Sequence, residues 1–289
     1  MIRSDAGGGG VVLATRTPDR AHALTEALRQ RRLRLILSPL RAPRALTEPE
    51  LDALRTALSS GPWEAATFTS VNGLRGLRAG LARLHAADRS AHAEPAALLA
   101  GARVHCVGRA TAEEARAQGL TPAAETAAGE GEQSARGLLT RLDRTGAPGS
   151  VLCVHGRPHR PELADGLREL GANVTEAVAY AMADWPTPAP LGGQAPGSAG
   201  EERPAESAAP ALDRQATAAA LRKRAADVVL VSSPRQLETL HGLGPLPEPV
   251  VCLGPTTAAR ARELGLAAVT AASPAPEDLA EAAVRARSG

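Results

Sequence analysis

The chain has 289 residues, 22% of them charged, and a formal net charge of +2. That length holds one large domain or two ordinary ones, and so small a charge argues against a nucleic-acid partner. Aromatic residues make up 1% and no apolar run reaches signal-peptide or membrane-span length, so the core must be Leu, Val and Ala, and a cytoplasmic protein with no membrane partner is expected.

Residues 1–10 end in four glycines and are expected to be a flexible tail. Val11 to Thr15 is a short buried strand, followed by an amphipathic helix from Asp19 to Arg31 with Leu24 and Leu28 on one face. Leu33 to Leu40 is a second strand, stopped by Pro39 and Pro43, and Glu48 to Ser59 a helix broken at Gly61-Pro62. Glu64 to Thr69 is a strand ending in Thr69-Ser70. Val71 to Leu84 is a helix with Leu74, Leu77 and Leu81 in register. Strand 103–107 and helix 109–118 follow, then a short strand from Thr121 to Glu125, a helix from Glu132 to Leu142 and a turn at 146–149.

Ser150 to Val154 is a strand, Pro161 to Leu170 a helix closed by Gly171, and Val174 to Tyr180 a strand. Residues 186–210 are rich in Pro, Gly, Ala, Ser and Glu, and are expected to be a disordered insertion. Leu212 to Arg224 is helical, Asp227 to Val231 a strand ending in Ser232-Ser233, and Pro234 to Leu240 a helix. A strand and helix over 250–264, a short strand at Ala267–Thr270 and a helix from Pro276 to Arg287 complete the chain. Strands alternating with helices predict an α/β fold with parallel sheets.

One stretch occurs twice. Residues 104–120 and 250–266 align without a gap, and nine of the seventeen positions are identical. Each copy is an apolar run, a glycine, a Thr three residues later, and an Ala/Arg-rich segment ending at glycine. This describes a buried strand, a turn, a helix mouth and a helix stop. The surroundings repeat as well: Ser70 precedes the first copy as Ser233 precedes the second. Residues 11–143 and 151–287 thus form two copies of one programme, and a boundary near 147 is expected from the residues alone.

Familiar catalytic signatures are missing. No GxGxxG follows the first strand, and there is no Walker loop, GxSxG elbow or HExxH. Cys106, Cys153 and Cys252 sit in apolar runs without CxxC spacing and read as small buried hydrophobes in a reducing compartment. His155 and His159 lie four apart around Pro158, so a surface loop and no metal site are expected. What remains lies at the carboxyl ends of the strands, where open α/β sheets bind ligands. These residues are Thr15-Arg16, Thr69-Ser70, Gly108 with Thr111, Val154 to Arg157, Ser232-Ser233, and Gly254 with Thr256-Thr257. Hydroxyls, helix N-termini and guanidinium groups suit carboxylate or phosphate recognition. Helix capping explains the Ser and Thr residues equally well one at a time. Tyr180, the single tyrosine, is either a half-buried aromatic at the rim or part of the site.

Taken in order, these pieces resemble the uroporphyrinogen-III synthase family. The matching residues are Thr15-Arg16, Phe68-Thr69-Ser70, Val107-Gly108 with Thr111-Ala112, Leu163 to Gly171 ahead of a strand ending at Tyr180, Val231 to Pro234, and Leu253 to Ala258. The resemblance implies two similar flavodoxin- or Rossmann-like parallel-sheet domains joined by a two-stranded linker, with a cleft between them. One domain would comprise 11–40 and 181–287, the other 45–175. It implies a monomeric, cofactor-free lyase of tetrapyrrole (haem) synthesis that closes hydroxymethylbilane into uroporphyrinogen III, with loss of water and inversion of the last pyrrole ring. Tyr180 would assist loss of the hydroxyl group. Arg16, Ser70, Gly108, Thr111, Ser232, Ser233, Gly254, Thr256 and Thr257 would meet the substrate. The alternative is a non-catalytic two-domain binding or sensor protein for a small anionic ligand.

Overall fold

The computed structural model describes residues 9–123, 134–191 and 209–288. The expected tail over 1–8, most of the expected insertion, the end of the Thr121–Glu125 strand and the start of the Glu132 helix lie outside the described residues. Of these residues, 9–42, 184–186 and 209–288 form one compact unit and 43–123, 134–183 and 187–191 a second.

The first unit is built on a sheet of β1 (Val11–Ala14), β2 (Arg34–Leu37), β8 (Val228–Val231), β9 (Val250–Cys252) and β10 (Ala268–Thr270), in the order β10-β9-β8-β1-β2. Its paired strands run parallel: Val12 faces Leu35 on one side and Val228 on the other. Apolar residues fill both faces. Val12, Ala14, Val228 and Leu230 enter one cluster, and Leu13, Val229 and Val231 the opposite one. This is why these strands read as unbroken apolar runs rather than alternating ones. The covering helices are α1 (His22–Arg29), α8 (Arg214–Arg222), α9 (Pro234–His241), α10 (Pro255–Glu263) and α11 (Pro276–Ser288).

The second unit carries β3 (Arg41–Arg44), β4 (Ala65–Phe68), β5 (Arg103–Cys106), β6 (Ser150–Arg157) and β7 (Asn173–Asp184) in the order β3-β7-β6-β4-β5. Again the strands feed two cores. Ala66, Phe68, Leu152 and Val154 point one way, and Ala65, Val151 and Cys153 the other. Its helices are α2 (Glu48–Leu58), α3 (Val71–Ala87), the single turn α4 (Pro95–Leu98), α5 (Arg109–Ala117), α6 (Ala135–Thr145) and α7 (Glu162–Glu169). Trp63 is buried with Leu51, Leu54 and Phe68 in the larger of these cores.

The strand orders overturn a boundary near 147. Each sheet takes strands from both sides of that point, and β1 meets β8 across more than two hundred residues. Local patterns repeat in the two halves, but the pairing of parallel strands is settled by crossovers that no local pattern encodes. Three smaller expectations are also corrected. Gly10 is buried, and its carbonyl accepts from the Arg34 amide at 2.9 Å, extending the β1–β2 ladder. Beside β3, Ala45 donates to Ala189 and Leu191 to Pro43, so the near end of the expected insertion is hydrogen-bonded. Segment 41–44 is a strand in spite of Pro43. No helix among the described residues is long and apolar enough to cross a membrane.

Candidate active site

The two copies of the repeated stretch fold alike. In each, a strand enters a glycine that caps a helix, Gly108 before α5 and Gly254 before α10. Gly119 and Gly265 close these helices with φ of 76° and 77°, a region that L side chains disfavour. Thr111 and Thr257 are the third helical residues and are both buried. The first-turn N–H groups of such a helix have no intrahelical acceptor and carry the positive end of its dipole.

In the first unit, Ser232, Gly254, Thr256 and Thr257 line one hollow of about 340 Å³. Ser233 caps α9, its Oγ accepting from the Gln236 amide at 3.3 Å. Gln236 itself was not expected. Its Oε1 accepts from the hydroxyls of Thr15 at 2.9 Å and Ser232 at 2.6 Å, and from the Ser232 amide at 3.3 Å. One side chain therefore ties the carboxyl ends of β1 and β8 together, and Ser232 retains only oxygen lone pairs for a ligand. The signal was available: Ser233 and Gln236 have the spacing of a capping box. Arg16 follows β1 half-buried, with its pKa lowered first by burial and then by Arg20. Among the described residues no carboxylate accepts a hydrogen bond from its guanidinium or forms an ion pair with it.

In the second unit, a cavity of about 750 Å³ is lined by Thr69, Ser70, His155, His159, Arg160 and Tyr180, among others. Gly108 and Thr111 line neither this cavity nor the smaller hollow. Ser70 caps α3, its Oγ accepting from the Gly73 amide at 3.2 Å. The same Oγ lies 3.3 Å from the Tyr180 hydroxyl. Tyr180 reaches it because the β6–β7 register slips: His155 pairs with Val178 but Gly156 with Tyr180. The extra residue on β7 re-aims the side chains beyond it. The phenol then occupies the space over Gly156, where an added Cβ would stand 2.2 Å from Tyr180 Cζ. On the helix side, a Cβ at Gly76 would meet the Ala179 carbonyl at 2.4 Å, so α3 also packs closely on β7 through a glycine.

His155 and His159 do not share a surface loop. His155 is buried near the end of β6, and its ring stacks on that of His159 with centroids 3.6 Å apart. Both Nε2 atoms face Glu176 Oε2, at 3.1 and 3.0 Å, and Arg168 donates to Glu176 Oε1 at 2.6 Å. Burial, then His159, pulls the His155 pKa down. Burial alone would raise that of Glu176, but the hydrogen bond from Arg168, its charge and His155 together outweigh it and keep the carboxylate ionised. The three cysteines are free and buried, and burial pushes their thiols to about 12 for Cys106 and about 11 for Cys153 and Cys252, which removes them as nucleophiles near neutral pH.

Fold and site together define a class: a two-unit parallel α/β protein with glycine-mouthed helices and hydroxyl-rich strand ends. A family model described as uroporphyrinogen-III synthase HemD matches residues 22–281, and the chain belongs to that family. Among solved structures, a mutant uroporphyrinogen III synthase from the extremely thermophilic bacterium Thermus thermophilus has 19% sequence identity and a TM-score of 0.60, covering 96% of this chain and 98% of that one. The uroporphyrinogen-III synthetase of Helicobacter pylori has 14% identity and a TM-score of 0.52, covering 96% and 99%. At these identities the likeness is one of fold. No curated protein matches the chain.

Proposed function

We propose that this chain cyclises hydroxymethylbilane to uroporphyrinogen III, as a lyase of tetrapyrrole synthesis working as a cofactor-free monomer in the cytoplasm. The observation that carries the reading is the family match over 22–281. The local chemistry supports it. The substrate bears eight carboxylates, and free helix N-termini, hydroxyls and the Arg16 guanidinium are groups that hold carboxylates. In this reading Arg16, Ser70, Gly108, Thr111, Ser232, Ser233, Gly254, Thr256 and Thr257 meet the substrate.

Tyr180 gives a proton to the departing hydroxyl, which leaves as water. The resulting azafulvene cation is attacked by the substituted carbon of the last pyrrole ring, forming a spirocyclic intermediate. That intermediate opens and recloses with the ring inverted, and the final pyrrole carbon returns its proton to the tyrosinate. Holding the cation in one folded geometry excludes the competing closure. Ser70, at 3.3 Å from the phenol, positions it. The test is isomer analysis: bilane freshly made by the preceding enzyme is incubated with the protein, oxidised and separated. The III isomer is expected. Only the I isomer, the spontaneous product, from folded soluble protein would refute the proposal.

A further inference from the structure

We propose that His155, His159 and Glu176 form a site for one divalent transition-metal ion of the zinc type, beside the cavity of the second unit, which His155 and His159 line and Glu176 backs from β7. One ligand atom from each residue lies within 4.8 Å of the other two. The three come from separate places. His155 lies two residues before the end of β6, His159 follows in the turn before α7, and Glu176 stands on β7 opposite Cys153. Such a set is brought together by the fold and not by a local motif, which is why the sequence spacing conceals it.

The hydrogen-bond pattern around the three accommodates a cation. Glu176 Oε1 is taken by Arg168 at 2.6 Å, which leaves Oε2 facing both imidazole Nε2 atoms. His155 Nδ1 lies 3.3 Å from the Gly156 carbonyl. Carbonyl and carboxylate oxygens only accept, and a neutral imidazole has one N–H. When Nδ1–H donates to Gly156, the Nε2 lone pair is aimed at an anionic oxygen, and a cation between them completes the arrangement. A backbone carbonyl on the far ring nitrogen, and a hydrogen-bonded carboxylate, are the usual supports of metal ligands.

The two histidine–carboxylate distances are close to those required. Nitrogen and oxygen ligands at roughly 2.0–2.1 Å from a tetrahedral zinc stand about 3.3 Å apart. Here the N···O separations are 3.1 and 3.0 Å, so the carboxylate needs only a small retreat. The rings stack with an interplanar angle of 17°, and a metal in the plane of both requires the His159 ring to turn. His159 is the member free to do so: its side chain is 34% exposed, against 8% for His155. Two imidazoles and one carboxylate favour zinc-like ions over magnesium or calcium, and three protein ligands leave a coordination position for water or an anionic group from the cavity.

The test uses the full chain, stripped with a chelator and titrated with zinc chloride by calorimetry, with magnesium chloride as control. Cobalt(II) serves as a spectroscopic probe. We expect one zinc per chain, no magnesium binding, a visible cobalt ligand-field band, and a rise in thermal midpoint with zinc. His159→Ala and Glu176→Gln should each weaken zinc binding at least tenfold and abolish the cobalt band, with far-UV dichroism confirming that both fold. Absence of saturable binding overturns the proposal. So does one-to-one zinc binding whose affinity survives either substitution.

Discussion

Gly156 has no side chain because the Tyr180 ring stands where one would be. Gly156→Ala places a methyl group 2.2 Å from Cζ, so the phenol must leave its position over the strand. We expect a loss of about 1–3 kcal/mol, the usual range for overpacking, together with a large fall in turnover. Gly254→Ala is the control. Nothing lies within 4 Å of its added Cβ and its φ of −159° suits any residue, so calorimetric stability should stay within about 0.5 kcal/mol. Tyr180→Phe removes only the 3.3 Å contact to Ser70, and Ser70 keeps its cap on α3. Steady-state turnover should drop sharply while stability falls by no more than about 1 kcal/mol. A large stability loss with normal specific activity would make Tyr180 a packing residue. Tyr180 was visible in the sequence as the single tyrosine, although β7 does not end there as expected but runs on to Asp184. The glycine beneath it was not visible, because the bulge that aligns the two is a property of pairing.

At the scale of elements, two polar side chains hold helix starts to strand ends. Gln236 gathers Thr15 and Ser232, so Gln236→Leu should strand their hydroxyls and cost about 1–3 kcal/mol in denaturant unfolding. Glu50 does comparable work at α2. It accepts from the Thr47 amide at 2.8 Å, from Arg44 at 2.6 and 2.8 Å, and from Arg157 at 3.3 Å. Chiefly through Arg44, its pKa is lowered from 4.5 to about 2. A depressed carboxyl binds its proton more weakly folded than unfolded. It therefore stabilises the fold fully above its unfolded pKa, and that contribution disappears as pH falls from about 4.5 towards about 2. Glu50→Gln should flatten the pH dependence of the thermal midpoint across that window. Helix periodicity made α3 legible through Leu74, Leu77 and Leu81, all buried as expected. Strand β3 was not, since Arg41-Ala-Pro-Arg44 has neither an apolar run nor alternation and acquires its conformation from its neighbours in the sheet.

For the whole molecule, the α/β class and the duplication were readable because both are written in local alternation. Local pattern did not carry the wiring, for which the sequence offered only the discontinuous domains implied by the family resemblance: β6 lies between β7 and β4, and β8 between β9 and β1. Fragments 1–147 and 148–289 each lack strands from both sheets. Neither should give the far-UV dichroism or proton dispersion of a folded protein when expressed alone. Folded fragments would contradict the strand orders. The site divides the same way. Helix mouths and strand-end hydroxyls were found from pattern, whereas Gln236, Gly156 and the His155–His159–Glu176 group depend on residues distant in sequence.

The leucine-, valine- and alanine-filled interior has an optical consequence. With two tryptophans in the chain, Trp63 belongs to the unit of β3–β7 and Trp185 to the unit of β1 and β8. Each unit therefore holds its own intrinsic fluorophore, with almost no other aromatic emission to mask it. Trp185→Phe leaves a chain whose fluorescence follows Trp63 and the core around it. Trp63→Phe leaves one that follows residue 185. Recorded side by side through a denaturant titration, the two variants report the unfolding of the two units separately, without any added dye.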